Sequence, residues 1–180
     1  MKPPALIGIA GKARCGKNTL ANFIQAQYGG YQYGFANPLR RMLNAGFGID
    51  LDRSQYWQEH KEDVIPVFGK SPRQMMQSLG TEWGRNIIHP EVWLLLAQQE
   101  LLNRGAGMIV TDVRFENETA WIRKNRGVVI HIQRDNAALV NEHSSEAGLE
   151  VVPGDITIFN NGSLDELQYA TSKLFGGDFK

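Results

Sequence analysis

The sequence predicts an α/β sandwich: a five-stranded, mostly parallel sheet with helices on both faces. Three observations predict it. Short apolar runs alternate with longer amphipathic stretches along the whole chain, which is the pattern of strand–helix–strand units. Several runs, such as Ala5-Leu6-Ile7-Gly8-Ile9-Ala10 and Met108-Ile109-Val110, are apolar at successive positions, as strands covered on both faces must be. The first run passes directly through a glycine-containing turn into an amphipathic stretch, the start expected of a parallel crossover.

Ala5–Ala10 is the first strand. A helix follows from about Lys17 to Tyr28 and stops at Gly29-Gly30. Tyr31–Phe35 reads as a second short strand, and Pro38 opens a helix through Leu39, Met42 and Leu43. Residues 48–70 are polar, contain Trp57 and Pro66 and keep no clean period, so irregular structure or short helical turns are expected. Ser71-Pro72-Arg73-Gln74 carries an N-cap, a first-position proline and the glutamine of a capping box. Met75, Met76, Leu79 and Trp83 then form an apolar face, and the helix is not expected to continue past Gly84. Pro90 opens the next helix, which runs to about Asn103. Met108–Val110 is the third strand, ending in Thr111-Asp112. A helix spans about Glu116–Asn125, and Val128–Ile132 is the fourth strand. Residues 134–150 have a lid-like polar composition. Ile156–Phe159 is the fifth strand, and Ser163 with Glu166 forms a second capping box for a final helix to Phe175.

The 180 residues fit one compact domain. A composition of 42% hydrophobic and 21% charged residues is that of an ordinary globular protein. Nineteen basic residues balance nineteen acidic ones, which argues against a strongly basic coat for polymeric nucleic acid and leaves a local basic cleft open. One cysteine, Cys15, excludes an internal disulfide framework and a multi-cysteine zinc site. No apolar run approaches a membrane span, and the apolar stretch near the N-terminus is too short for a signal peptide. A cytoplasmic location with no membrane partner is the expectation.

The chemistry starts after the first strand, at Gly11-Lys12-Ala13-Arg14-Cys15-Gly16-Lys17-Asn18-Thr19. This is Gly-x-x-x-x-Gly-Lys, the body of a Walker A loop. Its glycines let several backbone N–H groups face one point, and the following helix adds the positive end of its dipole. By composition alone a bare match arises in about one such chain in twenty. The strand before it and the helix after it cut that by about another factor of ten. Lys17 is placed to reach the β- and γ-phosphates of ATP. Ser or Thr usually follows the lysine and holds Mg²⁺. Here the residue is Asn18, whose amide oxygen can serve directly or through water, while Thr19 is available to the α-phosphate. Cys15 reads as a small loop residue, since no partner base is visible.

Four blocks resemble the phage-type deoxynucleoside monophosphate kinases, within the adenylate-kinase-like group of P-loop kinases. They are Gly16-Lys17-Asn18-Thr19, the run from Arg73 to Arg85, Thr111-Asp112-Val113-Arg114-Phe115-Glu116-Asn117-Glu118, and His143-Ser144-Ser145-Glu146. The third is the most specific. Members often carry aspartate where this chain has Asn18. The resemblance implies a P-loop NTPase three-layer sandwich with a short lid at about 134–150 and an acceptor-binding insert at about 36–90. It implies ATP as co-substrate, Mg²⁺, and a deoxynucleoside monophosphate as acceptor, and it leaves a homodimer open.

The remaining candidates divide by position. Asp112 ends the third strand, where a carboxylate can hold Mg²⁺ or orient the incoming phosphate; the plain alternative is an N-cap. Arg114 lies two residues on, so a metal and an anion can be held together. Arg73 and Arg85 can grip a monophosphate in bidentate fashion, or be solvated surface arginines. Gln77 and Thr81 lie one turn apart and can reach base or phosphate, or face water. The resemblance puts Phe35 near the acceptor base, against a core phenylalanine as alternative, with Tyr56 and Trp57 as weaker stacking candidates. Arg134 can neutralise the transferring group; Arg123 and Arg126 read as a solvated helix face. The resemblance brings His143 and Glu146 to substrate or lid closure, and the loop Asn160-Asn161-Gly162, with Asn161 and Gly162 as the candidates, near the adenine; the plain alternative is a turn feeding the final helix. Two rivals remain: another small-molecule P-loop kinase, such as a dephospho-coenzyme A kinase, and a non-catalytic protein that uses ATP as a switch.

Overall fold

A computed structural model describes residues 3–135 and 149–176. They divide into two compact units. One holds the chain up to Gly34 and from Glu100 onward; the other is Phe35–Gln99.

The first unit is built on β1 (Leu6–Ala10), β2 (Tyr31–Tyr33), β3 (Met108–Val113), β4 (Val128–Gln133) and β5 (Ile156–Phe159). They form one sheet in the order β2-β3-β1-β4-β5, and every pairing is parallel. β1 is central. The chain leaves it toward β2 and β3 on one side and later returns to β4 and β5 on the other. The loop after β1 therefore sits at the switch point, where open parallel sheets bind ligands.

Successive residues of β1 serve opposite layers. Ile7 and Ile9 pack with Leu20, Ala21 and Ile24 of α1 (Lys17–Tyr28) and Leu167 of α7 (Leu164–Ser172). Gly8 faces α6 (Glu116–Lys124): a Cβ there would lie 2.2 Å from Ile122 Cδ1. Helices thus cover both faces. Leu20 and Ile24 are fully buried, and each such side chain contributes about 1.5–3 kcal/mol. Tyr28 and Phe175 meet edge-to-face at 5.2 Å, and the Tyr28 hydroxyl donates to Thr171 O, tying α1 to the C-terminal helix. That helix ends at Ser172 rather than at Phe175, which packs into the core beyond it. The second strand also stops short, at Tyr33 rather than Phe35.

The β1–β3 register shifts near the ligand end. Gly8 pairs with Val110, but Ala10 pairs with Val113. β3 therefore carries one extra residue across Thr111-Asp112, a bulge. Strict alternation would put Val113 on the side of Ile109. The bulge instead turns it to the Gly8 side, with Cγ2 3.2 Å from a Gly8 Cβ position.

The second unit comprises α2 (Asn37–Phe47), α3 (Gln55–Glu59), α4 (Pro72–Gln77), a π-helical continuation (Ser78–Ile88), and the start of α5 (Val92–Arg104). Its core gathers Leu43, Ile49 and Met75, with Leu51, Trp57, Ile65, Met76 and Leu79 against them. The stretch 48–70 holds only α3 and an isolated bridge between Ile65 and Lys70. The capping box of α4 is present: Ser71 Oγ accepts the Gln74 N–H, and Gln74 Oε1 accepts the Ser71 N–H at 2.9 Å. The helix does continue past Gly84, contrary to the sequence expectation. Gly84 supplies close packing rather than a stop, since a Cβ there would lie 2.3 Å from Trp93 Cζ2. The Trp93 indole N–H donates to Gly80 O at 2.9 Å, and the wide winding ends with His89 N–H on Gly84 O, an i to i−5 bond.

Candidate active site

The loop Gly11–Gly16 curls between β1 and α1. Cys15 N–H closes a turn onto Lys12 O at 3.4 Å, Arg14 is left-handed (φ 61°), and Gly16 enters α1 with φ 105°. Gly11 is required by proximity, because a Cβ there would lie 2.3 Å from Ile132 O. No side chain caps the start of α1. Its first N–H groups and the dipole therefore act together at this loop. Lys17 folds back, its ammonium donating to Gly11 O and Lys12 O, each at 2.7 Å. The Cys15 side chain is buried in the core, and burial pushes its thiol pKa up against the opposing pull of Lys17. It is an inert packing residue.

A cavity of about 460 Å³ opens at the ligand end of the sheet. Gly11, Lys12 and Ala13 line it from the loop, Lys17 from the start of α1, Val113 and Arg114 from the end of β3 and just after it, His131 to Asp135 from β4 and the residues that follow it, and Leu149 also lines it. Among the described residues four cations (Lys12, Lys17, Arg114 and Arg134) thus line it against one carboxylate, Asp135. Such a wall suits a polyanion. Of the expected ATP residues, Arg14, Cys15, Gly16, Asn18 and Thr19 belong to the loop or to α1 without lining the cavity. Asp112 does not line it either; it lies in the bulge beside Val113. Nor does it cap α6. Glu118, buried, turns back and accepts the N–H groups of Arg114 (2.7 Å) and Phe115 (3.1 Å) through Oε2. That carboxylate holds the Arg114 backbone at the cavity.

Among the described residues no group of three or more His, Cys, Asp or Glu could hold a metal ion. The donors that the sequence reading offers are a carboxylate, Asp112 in the β3 bulge, and an amide oxygen, Asn18 at the start of α1. That set fits Mg²⁺, which takes one or two protein oxygens and completes its shell with phosphate and water.

Arg123 corrects the sequence expectation of a solvated face. Its Nη2 lies 2.6 Å from Asp155 Oδ2 and its Nε 3.2 Å from Oδ1. Nη1 donates to Thr119 Oγ1 and Nη2 to Glu150 O. The Val152 N–H and His131 Nε2–H also donate to Asp155 Oδ2. Burial pushes the Asp155 carboxyl up, but Arg123, the Val152 N–H and His131 together outweigh it and hold the group below its usual range. The network pins residues 150–155 to α6 and β4. Its spacing, 32 residues from Arg123 to Asp155, left no local signal in the sequence. The Asp155 side chain is 3% exposed and that of Arg123 26%. Asp155→Asn is expected to cost about 2–3 kcal/mol at pH 7, somewhat less than breaking a fully buried pair. A lowered carboxyl pKa stabilises above the unfolded value and is lost as pH falls through the folded one. Urea unfolding should therefore show the gap between wild type and variant closing below about pH 4.

In the loop after β5, Asn161 binds Asp135 rather than standing open: its Oδ1 accepts the Asp135 N–H and its Nδ2 donates to Asp135 Oδ2. Gly162 packs under the Glu166 carboxylate of the α7 capping box. Arg126 is exposed at the end of α6. His143 and Glu146 lie outside the described residues.

In the second unit Phe35 is buried, 5% exposed, as the core alternative supposed. Arg73 is exposed and ion-paired with Glu62. Gln77 and Thr81 are exposed, and Arg85 is half-buried on the π-helical stretch. Tyr56 stacks on His60 at 4.1 Å, and Trp57 packs against the Leu43 core. A feature missed in the sequence is a cavity of about 430 Å³ lined by Asn37, Arg40, Arg41 and Asn44 of α2 and by Asp50, Asp52 and Arg53. Arg40 is paired with Asp52 at 2.9 Å. The signal was the doubled arginine after Pro38.

The comparisons with known proteins agree with these motifs. The family model for deoxynucleotide monophosphate kinases matches residues 5–65 and 62–171. The deoxynucleotide monophosphate kinase of Escherichia phage RB69 is 33% identical over 240 aligned positions, covering 94% of this chain and 98% of that one. Its counterpart from Enterobacteria phage T4 is 27% identical, covering 90% and 95%. Among solved structures, the dephospho-CoA kinase of Campylobacter jejuni superposes with a TM-score of 0.51 at 16% identity over 94% of each chain, which speaks for the shared kinase fold alone. A family match over most of the chain and a relative one-third identical along nearly its whole length lead to one conclusion: this chain belongs to the deoxynucleotide monophosphate kinase family.

Proposed function

We propose that this protein transfers the γ-phosphate of ATP to a deoxynucleoside monophosphate, giving the diphosphate and ADP. The observation that carries the reading is the cavity at the Walker loop, where Lys12, Lys17, Arg114 and Arg134 converge at the switch point of the sheet. The loop residues Gly11–Thr19 bind the ATP phosphates, with Asn161 and Gly162 toward the base. Asn18 and Asp112 would hold Mg²⁺, which would supply charge shielding to the phosphates when bound. Arg73, Arg85, Gln77 and Thr81, with His143 and Glu146, serve the acceptor, and the arginines of the α2 cavity are further candidates for its phosphate.

The acceptor phosphate is already anionic near neutral pH, so no strong general base is needed. Its oxygen attacks the γ-phosphorus as the bond to the β–γ bridging oxygen breaks and ADP leaves. Lys17, Arg114 and Arg134 stabilise the charge spread over the moving group, and the loop fixes its line of approach. A coupled assay of ADP release with the four deoxynucleoside monophosphates, the four ribonucleotides, dephospho-coenzyme A and no acceptor tests the reading. It expects release with one or more of the deoxynucleotides and very little without acceptor. Release with dephospho-coenzyme A alone, or independent of any acceptor, would overturn it. Among the described residues no helix is long and apolar enough to cross a membrane.

A further inference from the structure

Two adjacent asparagines follow β5, and they do different work. Asn160 is buried, 9% exposed. Its Nδ2 donates to Cys15 O at 2.8 Å, and its backbone N–H donates to Gln133 O at 2.7 Å. Cys15 O belongs to the peptide unit that joins Cys15 to Gly16, in the middle of the phosphate loop. That unit is planar and trans, so its C=O and N–H point in opposite directions. Pinning the oxygen toward Asn160 aims the Gly16 N–H the other way. Gly16 gives the amide its room, since a Cβ there would lie 2.4 Å from Asn160 Nδ2. The second glycine of the motif is thus required by its φ of 105° and also by the seat of the Asn160 side chain. Asn161, next in sequence, holds Asp135, which lines the same cavity as Lys17 and Arg134.

We infer that Asn160 is a positioning residue for the phosphate loop: its side-chain amide fixes the Cys15–Gly16 peptide plane and so presets the backbone donors that meet the nucleotide phosphates. The inference rests on the kinase reading for the identity of the nucleotide, but not for the role of the amide. A buried amide that donates to a carbonyl cannot be replaced by a carboxylate, which only accepts. Serine keeps a donor on a shorter arm.

The test compares Asn160→Ala, Asn160→Asp and Asn160→Ser with wild type. ADP binding is followed by calorimetry without acceptor, KM for ATP and for the acceptor by steady-state kinetics, and folding by thermal unfolding. ADP affinity and KM for ATP should worsen about tenfold or more in the alanine and aspartate variants, with partial recovery in the serine variant. KM for the acceptor at saturating ATP should stay within about twofold. If the alanine variant does not fold, the serine–aspartate pair decides by the same readings. ADP affinity within about twofold of wild type in folded variants, or equal losses for ATP and acceptor, would overturn the inference. A wild type that binds ADP but phosphorylates no deoxynucleotide would instead refute the substrate reading and leave the Asn160 measurement standing.

Discussion

Lys17→Ala should lower kcat by about 10²–10³, the loss expected when one preorganised cation is taken from the developing charge. The ammonium sits on the wall of the cavity, held by Gly11 O and Lys12 O at 2.7 Å. Those bonds pre-place it before any phosphate arrives, so the transition state gains a charge with no ordering cost. The same bonds limit the structural damage. They are solvent-accessible hydrogen bonds on a loop, worth about 1 kcal/mol in net stability. For a chain of this size that is about 2–4 °C in Tm. The variant should therefore stay folded while losing turnover, checked by thermal unfolding beside the coupled assay. Near-normal turnover would remove Lys17 from the account.

Arg114→Ala is expected to be the second large loss. The Glu118 carboxylate anchors the Arg114 backbone, and the bulge in β3 delivers it to the cavity wall. Arg114 shares that wall with Lys17 and Arg134. An arginine in such a place answers charge on the transferring group and on the acceptor phosphate. The variant should lose about 10² or more in kcat/KM for the acceptor, while ADP binding changes by less than about fivefold. Steady-state kinetics with each substrate varied in turn, beside calorimetric ADP titration, separates the two. A loss confined to ATP affinity would move Arg114 from the acceptor to the donor side.

Local chemistry accounts for what could be read in advance. The strand before Gly11, the glycine pair after Tyr28 and the two capping boxes at Ser71 and Ser163 are short-range signals, and α1, α4 and α7 begin where those signals lie. The five strands followed from their apolar runs, and the parallel order from the helices between them. The features that escaped depend on partners distant in sequence. Gly84 looks like a helix stop until Trp93 packs on it. Arg123 looks solvated until Asp155 arrives from across β4. The bulge at Thr111-Asp112 carries no glycine or proline to announce it. Beyond it Arg114, and not Asp112, lines the cavity with Lys17. The hold of Asn160 on Cys15 O spans 145 residues and exists only in the folded sheet.

The most direct measurement follows the γ-phosphorus itself. ATP labelled at that position is incubated with the protein, Mg²⁺ and each deoxynucleoside monophosphate, and the products are separated. Label is expected in the terminal phosphate of a deoxynucleoside diphosphate, one for each ADP formed, and about 10²–10³-fold more slowly with Lys17→Ala. Label found as inorganic phosphate, at a rate indifferent to the acceptor, would contradict it.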